Sequence, residues 1–228
     1  KLGSEEIKAF ANLCRLVRFE QTEMTGHNLA TLELFKDPIL VLRFQNLPRK
    51  VLNQTMRVSP PTQIEAFRAS AALAIAILQS APIRMENLNN ISLSRNLINR
   101  GRGVTLVFED HEVKNKKALE YPLPTRVAEM IKKYLTRIWP VIAGPNCDVL
   151  FPGKDGGPRS KAGFGEMISI TCERELGIRL TAHQFRHICG FLFLQRCPGD
   201  YETIRLLLGH KSIQTTIQFY AGMETEAA

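Results

Sequence analysis

A chain of 228 residues with 44% hydrophobic side chains can bury the core of one large domain, or of one domain and a small one, and is too apolar for a disordered segment. Thirty Lys and Arg against 22 Asp and Glu leave a net charge of +8, which points to an acidic partner, nucleic acid first. Five cysteines, widely spaced and without a CxxC pair, argue against a disulfide framework or a zinc knuckle and fit a reducing, cytosolic compartment.

The longest apolar run, from Ala69 to Leu78, is far short of the roughly 20 residues that span a bilayer. No signal peptide is evident, and a chain that begins with Lys reads as a fragment or a processed piece. Residues 4–19 carry Ser4 as an N-cap, acids in the first turn, and Ile7, Phe10, Leu13, Leu16 and Val17 at helical spacing, which predicts a helix. Thr25-Gly26 breaks the pattern before a piece over 28–35. Asp37-Pro38 then opens a helix to about residue 44, and Leu47-Pro48 starts a further short piece. This first stretch is helical, moderately basic and without chemistry. It reads as a linker or helper segment that ends at Ser59-Pro60-Pro61-Thr62, the clearest internal boundary. Residues 62–80, rich in Ala, Leu and Ile and apolar on nearly every side, predict a helix in the middle of a core. Pro82 stops it, and Arg84 just beyond is placed to reach inward from a turn.

The β-branched run 104–108 is the best strand candidate. A polar stretch with Lys114, Lys116 and Lys117 separates it from 119–122, so the pair predicts a small antiparallel sheet with a lysine-bearing turn. Pro124 opens a helix to about residue 139. A Gly/Pro-rich loop interrupted by Val149-Leu150-Phe151 runs to Pro158, and a helix over 160–176 closes at Gly177. The expected fold class is mainly α, of the α+β kind, with one small antiparallel sheet.

Thr181-Ala182-His183-Gln184-Phe185-Arg186-His187 opens a helix over 181–196 that sends Phe185, Ile188, Phe191, Leu192 and Leu194 to the core. His183 and Arg186 are three apart and share one face of it. Gly209 ends a helix over 202–208 and leaves His210 at its C-terminal side, while Tyr220 lies on a last helix opened around Ser212. Two histidines, an arginine and a tyrosine from consecutive short helices make a candidate phosphate-handling cluster. Bland readings stand beside each member. Taken alone, Tyr220 is a packing tyrosine next to Phe219, Arg186 a surface ion-pair residue, Arg84 a helix cap, and His187 a structural histidine. Lys114 alone is a solvated turn residue like Lys116 and Lys117. His183 and His187 mimic a metal pair, but the zinc-protease pattern needs Glu where Gln184 stands.

Together these residues resemble the tyrosine recombinase (phage integrase) family over about residues 60–225. The segment from Thr181 to His187 is similar to its H-x-x-R box. Leu208-Gly209-His210, with Thr215, Thr216 and Tyr220, is similar to its L-G-H…T-T…Y box. Ala81-Pro82-Ile83-Arg84 with Leu88 resembles its first arginine box, and Lys114, eight residues before Pro122, falls where the family keeps a hairpin lysine. Pro82 stands in place of the usual glycine and Asn87 in place of the usual acid around Arg84. His210 and Tyr220 are ten apart where the family usually has nine, so Phe219 holds the expected place. A bulge in the last turn or a different approach of the tyrosine would absorb the extra residue. The chain ends eight residues past Tyr220, which leaves little of the C-terminal tail that the family often docks on a neighbouring subunit.

The resemblance implies a catalytic domain over 59–228, preceded by a linker or the remnant of an N-terminal DNA-binding domain over 1–58. It implies cleavage and rejoining of DNA at specific sites through a 3′-phosphotyrosyl intermediate, with no metal, ATP or other cofactor. Only on the order of one phenol in a thousand is ionised at neutral pH, so the Tyr220 nucleophile needs a proton acceptor, a role suited to His183. Arg84 and Arg186 would match the phosphate oxygens as charge builds in the transition state. His210 would donate to a non-bridging oxygen, and Lys114 would protonate the leaving 5′ oxygen. The implied partners are double-stranded DNA and three further subunits in a tetramer on two sites, with no membrane and no small-molecule substrate. The implied location is the bacterial cytoplasm, at the nucleoid. A type IB topoisomerase shares this chemistry, and the lack of a recognisable clamp domain argues against it. A DNA-binding module without catalysis would keep the fold, and the ten-residue spacing is its only support.

Overall fold

The computed structural model describes residues 24–101, 103–153 and 157–221, so the helix expected over 4–19 lies outside them. The chain runs through α1 (Gly26–Leu34), α2 (Pro38–Thr55), α3 (Gln63–Ser80) and the short α4 (Met85–Asn89) into β1 (Leu97–Arg100), β2 (Gly103–Phe108) and β3 (Leu119–Leu123). It continues through α5 (Thr125–Arg137), α6 (Trp139–Ile142), α7 (Lys161–Leu176), α8 (Ala182–Leu194), α9 (Tyr201–Leu208) and α10 (Ile213–Tyr220). The mainly helical architecture with one small antiparallel sheet is the one the sequence leads to.

Helix α3 is the axis of the fold. Thr62 caps it, its side chain accepting from the Glu65 amide. Its Ala69, Ala72, Leu73, Ile75 and Ile77 have no exposed surface, because α2, α5, α7 and α8 pack around it. Small alanines let the neighbouring backbones come close, and each buried Leu or Ile contributes on the order of 1.5–3 kcal/mol. Ala81, with φ −135° and ψ 90°, ends the helix because the residue before a proline avoids the helical region. The helices before residue 59 share this core: Leu32, Phe35, Phe44, Leu47, Val51 and Leu52 are buried in the same cluster.

The break expected at Leu47-Pro48 is absent, and α2 runs through Pro48 as one helix of 18 residues. A proline inside a helix leaves the carbonyl four residues earlier without its donor. That carbonyl, on Phe44, instead accepts from Gln79 Nε2 of α3 at 2.6 Å. The helix expected to reach residue 139 stops at Arg137, and the separate turn of α6 begins at Trp139 with Pro140 in its first positions.

The sheet has the order β1-β2-β3, antiparallel throughout. Val104 lies opposite Leu123 and Phe108 opposite Leu119, the pair of strands expected. β1 was not expected; it pairs Leu97 with Leu106 and turns into β2 at Gly101, whose φ of 63° suits glycine. Its Leu-Ile-Asn-Arg sequence is half-exposed and shows no alternation, so it carries no period to read. The lysine-bearing connection from β2 to β3 is longer than a hairpin turn. It contains a 3-10 turn, Asp110–Glu112, whose N-terminus is closed by a reciprocal capping box between Glu109 and Glu112.

Candidate active site

The N-terminus of α8 is fixed by a capping box: the Thr181 hydroxyl accepts from the Gln184 amide, and the Gln184 side chain accepts from the Thr181 amide at 2.9 Å. Gln184 Nε2 also donates to Thr31 Oγ1 of α1 at 3.0 Å, which docks α1 on this end of the helix. The α9 helix closes at Gly209, whose φ of 60° places His210 immediately beyond the last turn. The His210 amide donates back to the Arg205 carbonyl at 2.9 Å, and its ring Nδ1 lies 3.0 Å from the buried Thr216 hydroxyl of α10. A neutral ring that accepts from Thr216 at Nδ1 carries its proton on Nε2, as a donor.

Arg84, Lys114, His183, Arg186, His210 and Tyr220 line one cavity of about 320 Å³, together with His187, Leu208 and Phe219. The sequence scatters the six over the α3–α4 turn, the β2–β3 connection, α8, the turn after α9, and α10. Among the described residues, no carboxylate lines the cavity.

Arg186 is 6% exposed and acts as a tie between segments. One of its terminal nitrogens donates to the Pro82 carbonyl and the other to the Leu208 carbonyl, the latter at 2.6 Å. Pro82 lacks an amide but keeps the carbonyl that this arginine uses, so the departure from glycine leaves the tie intact. Burial, with the Arg84 charge beside it, lowers the Arg186 pKa to about 10. With no acid beside them among the described residues, the two guanidiniums form a site whose charge an anion would relieve.

Asn87, which stands in place of the usual acid, donates to the Glu112 carbonyl at 2.8 Å and so joins α4 to the 3-10 turn ahead of Lys114. On the other side of Lys114, Asn115 Nδ2 donates to the Gly209 carbonyl at 2.6 Å. Tyr121 of β3 adds a hydrogen bond to the Leu207 carbonyl at 2.8 Å. The loop is thereby held against the turn that carries His210, while Lys114 itself stays exposed with no hydrogen bond or ion pair among the described residues.

Tyr220 is the last residue of α10, a regular helix without the bulge that the extra residue could have required. Its side chain is fully buried, and a methyl group on Gly190 would lie 2.7 Å from its ring. The hydroxyl is 3.3 Å from His187 Nδ1 and 3.5 Å from the Arg186 carbonyl, and burial pushes its pKa up. Phe219 borders the cavity as well, its ring 5.9 Å from that of His187. His183, the residue suited to accept the Tyr220 proton, meets His187, Nε2 to Nε2 at 3.0 Å. Sequence reasoning set His187 aside; its spacing of four from His183 was the available signal.

All three histidines are held below their ordinary range. Burial comes first in each case, followed for His183 and His210 by Arg186 and then Arg84, and His210 falls to about 4. His187 falls to about 3, with His183, Arg186 and His210 adding to its burial. Among the described residues no group of three His, Cys, Asp or Glu side chains gathers as a metal site, and no helix is long and apolar enough to cross a membrane.

Residues 45–226 match the phage integrase family. Transposase B from transposon Tn554 of Staphylococcus aureus is 22% identical over 243 aligned positions, covering 96% of this chain and 38% of the relative. Tyrosine recombinase XerD of Corynebacterium glutamicum is 27% identical over 115 positions, covering 50% of this chain and 37% of the relative. The chain thus spans less than two fifths of either relative's length. Among solved structures, the XerH site-specific recombinase bound to a palindromic difH substrate in a post-cleavage complex aligns with a TM-score of 0.58. That alignment, at 19% identity, covers 76% of this chain and 47% of XerH. The Tn1549 transposon integrase with circular intermediate DNA aligns at 0.55 and 16% identity, over 79% of this chain and 61% of the integrase. Both structures share the fold, and the sequence match over residues 45–226 places this chain in the phage integrase family, the tyrosine recombinases.

Proposed function

We propose that the chain cleaves and rejoins DNA strands at specific sites, with Tyr220 as nucleophile, as the catalytic part of a recombinase or integrase. The observation that carries this reading is the cavity: Arg84, Arg186, Lys114 and three histidines gathered, with no carboxylate among the described residues and a tyrosine at its floor. Such a site suits a phosphodiester, which brings the missing negative charge. Relatives bound to DNA substrate support the same choice of partner.

In this reading Arg84 and Arg186 bind the non-bridging oxygens, and His210, oriented by Thr216, donates a further hydrogen bond. The Tyr220 oxygen forms a bond to phosphorus as the bond to the 5′ oxygen breaks. Lys114 protonates that leaving oxygen, and the phosphotyrosyl ester conserves the bond energy for rejoining. The phenol is fully buried, so the last turn of α10 yields as the phosphate enters, within reach of His187. The chemistry is complete without a metal or ATP. Four subunits on two DNA sites would exchange strands at the bacterial nucleoid. Residues 59–228 would be the catalytic domain, and the helices before it, which pack into the same core, would join it to a DNA-binding unit.

The test is a covalent adduct. The protein is incubated in EDTA at low salt with a pool of nicked duplexes of randomised sequence, denatured, and separated beside Tyr220→Phe. An adduct that vanishes in the variant is the expected result. An adduct that survives would sink the assignment of Tyr220. Binding without any adduct would overturn the catalytic reading and leave a DNA-binding module of the same fold.

A further inference from the structure

The Tyr220 hydroxyl reaches two groups among the described residues, His187 Nδ1 at 3.3 Å and the Arg186 carbonyl at 3.5 Å. His187 in turn reaches His183, Nε2 to Nε2 at 3.0 Å, with ring centroids 4.6 Å apart and planes at 90°. His187 is buried and His183 exposed, so the line of hydrogen bonds runs from a sealed phenol to the open mouth of the cavity. The spacing of one helical turn on α8 puts both rings on the same face.

We propose that His187 is a catalytic residue of strand cleavage, its Nδ1 taking the Tyr220 proton while its Nε2 passes one to His183. This rests on the reading of Tyr220 as nucleophile. A neutral imidazole has one donor and one acceptor. The relay uses the tautomers in which His187 carries its proton on Nε2 and His183 on Nδ1. As the tyrosyl oxygen bonds to phosphorus, its proton goes to His187 Nδ1 and the His187 Nε2 proton goes to His183 Nε2. The departing 5′ oxygen takes its proton from Lys114. One positive charge therefore appears on His183 and one disappears from Lys114, and exchange with water restores both. Rejoining reverses each transfer.

The charged and titratable groups around His187 come from each element at the cavity. Arg186 and His183 lie on its own helix, Tyr220 on α10, His210 after α9, Arg84 before α4, and Lys114 on the β2–β3 connection. These groups and burial keep His187 neutral, hence an acceptor, at working pH. A phosphate anion entering beside the guanidiniums offsets the positive field and raises the basicity of the ring.

Two variants test this. His187→Asn keeps an oxygen near the Nδ1 position, able to hold the phenol but not to pass a proton on, and His187→Phe removes both capacities. Single-turnover adduct formation is followed on the pool of nicked duplexes from about pH 6 to about pH 10, the upper end being the free phenol's range. Both variants are expected to bind DNA and melt as the parent does, and to lose about 10²–10⁴ in rate near neutrality. Their deficit should shrink as pH rises, because hydroxide replaces the missing base. His187→Asn cleaving at the parent rate overturns the relay. So does a deficit in both variants that is independent of pH, which marks a packing role. If the parent itself makes no adduct, the reading of Tyr220 fails first, so the two failures are distinguishable.

Discussion

On α8, Arg186 is 6% exposed and tied to the carbonyls of Pro82 and Leu208, whereas on the β2–β3 connection Lys114 stands exposed with no partner among the described residues. Both cations border the same cavity. The two placements suit the different tasks proposed for them. A group that must match fixed oxygens gains from being immobile, since its cost of ordering is met during folding rather than at reaction. A group that must deliver a proton has to regain one afterwards, and solvent contact on a tethered loop provides for that. The tether is separate from the lysine itself: Asn87 and Asn115 hold the backbone on either side of it.

The largest effect should come from Arg186→Ala. Adduct formation is expected to fall by about 10²–10³ for each of the two donors removed. The carbonyls of Pro82 and Leu208 would lose their partner, at about 1–3 kcal/mol each where burial excludes water. Rate and melting temperature should therefore drop together. Lys114→Ala should lower the rate by about 10²–10⁴ and leave the melting temperature where it was. A substrate with sulfur in place of the leaving 5′ oxygen, which needs little protonation, should recover most of that loss. A large fall in melting temperature for Lys114→Ala would break the contrast between the two cations.

A smaller effect concerns pH. His187 and His210 have pKa values of about 3 and about 4 in the folded chain, against 6.5 ordinarily. Below 6.5 the unfolded chain binds more protons than the folded one, so the stability tied to these rings is fully present above 6.5. It declines as the pH falls toward 4. Urea titrations across that window should show a slope that His210→Gln flattens. The smallest effect is expected from Asn115→Ala, about 0.5–1.5 kcal/mol for its lost hydrogen bond. Its rate loss should be less than additive with Lys114→Ala, as a double-mutant cycle would show, because both act through one loop. Full additivity would mean that Asn115 does not position the lysine.

The caps and breakers along the chain were readable because they act over a few residues. Thr62, Ser160, Thr181 and Ser212 each cap the helix whose start they announced, and Gly177 and Gly209 take the left-handed conformation at the ends they marked. Pro48 was misread because its neighbours alone say break, while the donor that permits the helix comes from Gln79 on α3. β1 was missed because a four-residue edge strand has neither length nor alternation. At the site, His183 and Arg186 shared a face by spacing alone. His187, on the same face, looked structural because nothing local places a phenol beside it.

The sequence by itself determined the helical periods, most of the caps that bound them, and the family motifs that carry the arginines, histidines and tyrosine. All of these depend on residues a few positions apart. The tertiary structure alone decided that Arg84, Lys114, Arg186, His210 and Tyr220 border one cavity, with no carboxylate among the described residues, and that His187 rather than His183 touches the phenol. It also decided which carbonyls Arg186 holds. Those relations join atoms far apart in the chain, and they follow from how α3 and its surrounding helices pack, which no local pattern encodes.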